Sequence, residues 1–173
     1  MNYEFRQAKT SELTGIWEIM LHAISKRKAE GSDQWQDGYP NPRVIENDIR
    51  QKAGFVLLQG GSVAAYAAIV KNQEPAYENI QGKWLTDGDF MVVHRIAVSA
   101  GYAGRGIAGQ IMAYAENLAL EQGIYSVKVD TSDDNIAMLR TFERAGYKYC
   151  GEVSLRGQQR MAFEKQLIPV QES

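Results

Sequence analysis

A chain of 173 residues, 45% hydrophobic and 23% charged, has the length and profile of one soluble domain with its own core. Its formal net charge of -2, with 19 scattered basic residues, speaks against an extended nucleic-acid or membrane surface. One cysteine and two histidines rule out an internal disulfide and leave little for a zinc site. No apolar run reaches the length of a membrane span, so the expected home is the cytoplasm.

Residues 3–8 alternate and predict a first strand. Thr10 is then a candidate helix cap, with Glu12 in the first turn. Leu13, Ile16, Trp17, Met20, Leu21 and Ile24 follow at spacings of three and four, the stripe of an amphipathic helix. Residues 31–42 are polar, aromatic and turn-rich, which predicts a loop. Asn41 before Pro42 reads as a cap followed by proline at the first helical position, opening a second helix through Val44, Ile45 and Ile49. Phe55–Leu58 and Val63–Val70 are two strands around Gly60-Gly61, a pair suited to a tight hairpin turn. An aromatic loop, Glu74–Trp84, leads to an apolar strand, Phe90–Val98. A glycine-rich turn follows, then a helix marked by Ile107, Ala108, Ile111, Ala115 and Leu118, with Gly123 as its cap. Tyr125–Thr131 make a strand. Asp134 or Asn135 can start a helix through Ile136, Leu139 and Phe142, closed by Gly146. Strands near 147–152 and 160–167 complete the order βααβββαβαββ: an α/β fold, a mixed twisted sheet with helices on both faces. Cys150, in the run Gly146–Gly151, reads as a small core residue.

The chemistry concentrates at His94-Arg-Ile-Ala-Val-Ser-Ala-Gly-Tyr-Ala-Gly-Arg-Gly-Ile-Ala108. A strand ends, glycines follow, and a helix begins. A helix start offers backbone N–H groups without internal partners at the positive end of the macrodipole, and glycine lets an anion approach. Arg105 adds a positive charge. No Gly-Lys-Ser/Thr follows, so this is not a Walker loop. Gly101, Gly104 and Gly106 have the wrong spacing for the fingerprint of a dinucleotide-binding oxidoreductase.

The segment resembles the pyrophosphate-binding motif of the GNAT superfamily of N-acetyltransferases, Q/R-x-x-G-x-G/A, with Gly106 and Ala108 at the last two fixed positions. Ala103 stands where the family carries Gln or Arg. Downstream, Asn135-Ile-Ala-Met-Leu-Arg-Thr-Phe-Glu-Arg-Ala-Gly-Tyr147 is similar to the family's second motif. The resemblance covers about residues 3–168 and implies a single N-acetyltransferase domain. It further implies acetyl-CoA, without metal, as donor to a primary amine of a small molecule, amino acid or peptide. The donor would lie in a V between the strands of 90–98 and 125–131. The backbone of Ile96, Ala97 and Val98 would bind its pantetheine, and Ala103, Gly104, Arg105, Gly106, Ile107 and Ala108 its pyrophosphate. Asn135 would contact the pantetheine arm, and Phe142 would pack near the thiol. Many members carry a tyrosine acid at the position of Phe142; Tyr147 and Tyr149 are alternatives here.

Alternation puts His94 on the face of Val92 and Ile96, which makes it the candidate base for the ammonium proton. Trp35, Tyr39, Glu74, Tyr77 and Trp84 lie in the two loops that family members use to line the acceptor site. Aromatics with one acid suit a cationic amine. No nucleic-acid or membrane partner is expected, and a homodimer is allowed. The alternative is a non-catalytic acyl-CoA-binding module of the same fold, which Ala103 and Phe142 favour.

Overall fold

The computed structural model describes residues 2–168. The strands are β1 (Glu4–Gln7), β2 (Gly54–Gln59), β3 (Ser62–Lys71), β4 (Gln81–Gly82), β5 (Met91–Val98), β6 (Ser126–Thr131), β7 (Lys148–Leu155) and β8 (Gln158–Gln166). The helices are α1 (Leu13–Ala29), α2 (Pro42–Arg50), α3 (Ile107–Glu121) and α4 (Ile136–Arg144). The strands form one mixed sheet in the order β1-β2-β3-β5-β6-β8-β7-β4, as a mixed α/β fold requires. The described residues divide into two compact units: residues 2–69 with 95–111, and residues 70–94 with 112–168.

In the first unit β1 pairs antiparallel with β2, and β2 with β3 through the Gly60-Gly61 turn, both glycines at positive φ. Its core joins Ile16, Ile19 and Met20 of α1 to Ile45, Val56, Leu58, Tyr66 and Ala97. Two details differ from the sequence reading. Thr10–Glu12 form a 3-10 turn rather than a cap and first helical turn. Glu12 reaches back to accept the Lys9 N–H at 2.7 Å and also binds the Arg6 guanidinium at 2.8 and 2.9 Å. Leu21 is exposed, while Ile19 and Arg27 take the inner face of α1. The Arg27 guanidinium is buried because the loop after α1 supplies its partners, Gln34 Oε1, Ser32 Oγ and Glu30 Oε2. Asn41 caps α2 as its sequence suggests, its Oδ1 accepting from Val44 N–H at 3.1 Å.

In the second unit β6 pairs antiparallel with β8, and β8 with β7 through a turn at Arg156-Gly157, both at positive φ. The parallel pairing of β5 with β6 joins Met91 to Val127 and Val92 to Lys128. The short strand β4 lies in a segment expected to be loop. Its pairing with β7 depends on two glycines: a Cβ on Gly82 would sit 2.1 Å from the Cys150 carbonyl oxygen, and one on Gly151 2.2 Å from that of Gln81. Cys150 is a buried thiol, and burial pushes its pKa up.

Glu164 on β8 is fully buried. It accepts from Leu85 N–H (2.7 Å), Thr86 Oγ1 (2.5 Å) and Ser126 Oγ (2.7 Å). Beside it the Lys128 ammonium lies 3.9 Å from the Phe90 ring centre and 4.4 Å from that of Trp84; burial lowers its pKa and the Glu164 charge opposes that. Glu164→Ala would leave the buried Ser126 hydroxyl, the part-buried Leu85 N–H and Thr86 hydroxyl, and the buried Lys128 ammonium without their carboxylate. It should cost about 3 kcal/mol. A urea titration at neutral pH checks this, and a loss below ~1 kcal/mol would contradict the account.

Candidate active site

The first unit carries the glycine-rich turn. After β5 a 3-10 turn, Ala100–Tyr102, leads through Ala103, Gly104, Arg105 and Gly106 into α3. Gly104 has φ +76° and Gly106 φ +71°, a region costly for residues with a Cβ. At both positions an added Cβ would meet nothing within 4 Å, so the backbone faces open space. Residues 103–106 are exposed, while Ile107 and Ile111 anchor α3 in the core. The Arg105 guanidinium lies 5.2 Å from the Tyr102 ring centre, which holds its charge beside the turn. Open backbone at a helix start with a fixed cation nearby fits a pyrophosphate group.

The strand that enters this turn is bent. Arg95 has φ +53° although it carries a Cβ. The two-residue alternation that placed His94 with Ile96 therefore does not run through Arg95, and a shared face no longer follows from spacing. Arg95 donates from Nε to Asp48 Oδ2 at 2.9 Å, from Nη2 to Asp48 Oδ1 at 2.5 Å, and from Nη1 to the Tyr39 hydroxyl at 2.5 Å. The Tyr66 hydroxyl donates to Asp48 Oδ2 at 2.7 Å. Burial alone would lower the Arg95 pKa, but the Asp48 carboxylate and Tyr39 outweigh it. Tyr39, expected in an exposed loop, is thus partly buried on a guanidinium. Trp35, at φ +62°, packs against the first unit's core.

The second unit brings together residues that the sequence reading assigned to different tasks. His94 Nε2 lies 3.5 Å from Glu74 Oε2, and both side chains are about one-seventh exposed, 14% and 15%. Glu74 Oε1 accepts from Ala76 N–H at 3.2 Å, capping the 3-10 turn Pro75–Asn79, so the carboxylate is oriented by its own backbone. Tyr77 is a core residue, 2% exposed, rather than an exposed loop aromatic. Its hydroxyl donates to Asp130 Oδ2 at 2.5 Å, and its ring packs on Trp84 and Phe90. Trp84 Nε1 donates to the Tyr77 carbonyl at 2.9 Å. Phe142 is 1% exposed between Tyr147 and Phe163, which limits its part to packing. Asn135 caps α4, its Oδ1 accepting from Met138 N–H at 3.2 Å. Tyr147, an alternative acid, donates to Glu116 Oε2 at 3.1 Å, and burial first, then that carboxylate, pushes its pKa far up.

Burial raises the Asp130 carboxyl from 3.8 to about 6; the Tyr77 hydroxyl opposes this and the Glu74 charge adds to it. A carboxyl whose pKa is raised on folding contributes stability that is complete below about pH 3.8 and is lost as pH rises through about 6. Asp130→Asn should therefore flatten the stability curve between those limits. Urea titrations at several pH values check it, and an unchanged slope would contradict the assignment.

Asp48, Tyr66, Arg95 and Asp130 were missed from sequence. Among the described residues no group of three or more His, Cys, Asp or Glu is placed to hold a metal ion, and no helix is long and apolar enough to cross a membrane.

The structure thus shows a strand leading through an open glycine turn into a helix, on a mixed sheet. Residues 18–147 match the model of the acetyltransferase (GNAT) family, and the chain belongs to that family. It is similar to an acetyltransferase of the GNAT family from Streptococcus agalactiae, with 34% identity over 95% of each chain and a TM-score of 0.86. It shares its fold with a GNAT-family acetyltransferase from Listeria monocytogenes, at 23% identity over 95% of each chain and a TM-score of 0.76. The yncA protein of Salmonella typhimurium, solved with its cofactor acetyl-CoA, shares the fold at 16% identity over 100% of this chain and 98% of that one, TM-score 0.68. None of the curated proteins matches the chain.

Proposed function

We propose that this acetyltransferase moves an acetyl group from acetyl-CoA to a primary amine of a small molecule, amino acid or peptide, as a single domain in the cytoplasm. The observation that carries the reading is the cradle at Gly104–Gly106, open at both glycine positions and flanked by Arg105. Ala103, Gly104, Arg105, Gly106, Ile107 and Ala108 hold the pyrophosphate, and the backbone of Ile96, Ala97 and Val98 holds the pantetheine. When bound, acetyl-CoA supplies an activated acyl carbon and a thiolate leaving group.

The chain's own task is the proton. An alkyl ammonium has a pKa near ~10.4, so at neutral pH it must lose a proton before it attacks. His94 takes that proton, and Glu74, 3.5 Å away, stabilises the imidazolium that results. Tyr77 is in the core, which leaves Trp35, Tyr39 and Glu74 as the acceptor residues of this reading. A calorimetric titration with acetyl-CoA tests the donor assignment. A single-site isotherm is expected, and no binding of acetyl-CoA would overturn it.

A further inference from the structure

We propose that Arg95 is a positioning residue: tied to Asp48 and Tyr39, it fixes the bend in β5 that aims Ile96, Ala97 and Val98, and it links that aim to the 31–41 loop. The inference rests on the reading of Ile96–Val98 as the pantetheine-binding backbone.

A left-handed φ at a residue with a Cβ persists only where its surroundings hold it. Here all three guanidinium nitrogens are held, two by the same carboxylate in a fork and one by a hydroxyl. Both Asp48 oxygens are engaged, and Tyr66 holds one of them from β3. The holders come from α2, β3 and the 31–41 loop, so three separate elements converge on one backbone angle. Without the tether, Arg95 relaxes toward ordinary extended backbone. The strand after it then turns, because a one-residue change of phase sends each following N–H and side chain the other way. Tyr39 lies at the loop end of the tether, with its ring centre 5.9 Å from the guanidinium carbon, so movement of that loop is felt at Arg95.

Acetyl-CoA titrations and melts of the full chain, without acceptor, test this on wild type, Arg95→Gly and Tyr39→Phe. Glycine tolerates the left-handed angle but has no tether; the Tyr39 variant loses one hydroxyl and keeps its ring. Arg95→Gly should raise the acetyl-CoA Kd about 100-fold, the scale of a misaimed binding backbone. Tyr39→Phe should melt with the wild type and raise Kd about fivefold, the lower end of coupling between sites. Arg95→Lys should not restore affinity, since an ammonium cannot make the fork. Wild-type Kd in both Arg95→Gly and Tyr39→Phe overturns the proposal and leaves Arg95 a fold-stabilising ion pair. Should Arg95→Gly fail to fold, an unchanged Kd in Tyr39→Phe is enough to overturn it. Absence of acetyl-CoA binding by the wild type overturns instead the functional reading on which the proposal stands.

Discussion

Replacing His94 with glutamine should lower kcat/KM for the amine about 100-fold at neutral pH, the usual size of an acid–base contribution. Glutamine keeps a polar side chain beside Glu74 but cannot take a proton in this range. The imidazole is only 14% exposed and has a carboxylate 3.5 Å from Nε2, so its protonated form has a counter-charge waiting. The loss should shrink as pH rises toward the amine pKa, because more acceptor is then already neutral. A pH profile of kcat/KM for both proteins checks this. Full activity of the glutamine variant at every pH would make His94 structural and move the search for the base to Glu74.

Gly106→Glu should abolish binding of acetyl-CoA. In the wild type, donor at ~100 times its Kd should add about 2.7 kcal/mol of stability. In the variant that gain should vanish. The glutamate places an anion where the pyrophosphate belongs, and its Cβ opposes φ +71° at the start of α3. Gly106→Ala separates the two causes, since it carries the backbone conflict without the charge. Thermal melts of the three proteins with and without donor read the difference. A shift with NAD and none with acetyl-CoA would show that the cradle takes another ligand.

The cradle was legible in sequence because it is local: strand, glycines and helix are contiguous, and their conformations follow from residue type. Apart from the two-residue strand β4, the order of the elements was legible for the same reason, since hydrophobic period and capping residues act within a few positions. The charged networks were not. Asp48 reads as an ordinary helix residue, although it falls three positions after Ile45 on the apolar side of α2, a hint that its carboxylate is buried. Asp130 and Lys128 alternate with Val127 and Val129 in β6, which reads as a strand with one wet face. That face is covered, by Tyr77 at Asp130 and by Trp84 and Phe90 at Lys128. The bend at Arg95 could not be read at all. Nothing in His94-Arg95-Ile96 departs from an alternating strand, and the left-handed angle is imposed by partners 47 and 56 positions away. Glu74 was placed in the acceptor site for its charge, and only folding shows it beside His94.

Free CoA thiol released from acetyl-CoA in the presence of a panel of primary amines tests the central claim most directly. Thiol release by the wild type should depend on the amine, saturate with it, and fall about 100-fold in the His94→Gln variant. Binding of acetyl-CoA without amine-dependent thiol release, across diamines, amino acids and peptide amines, would contradict that claim and leave a protein that holds the donor without transferring its acetyl group.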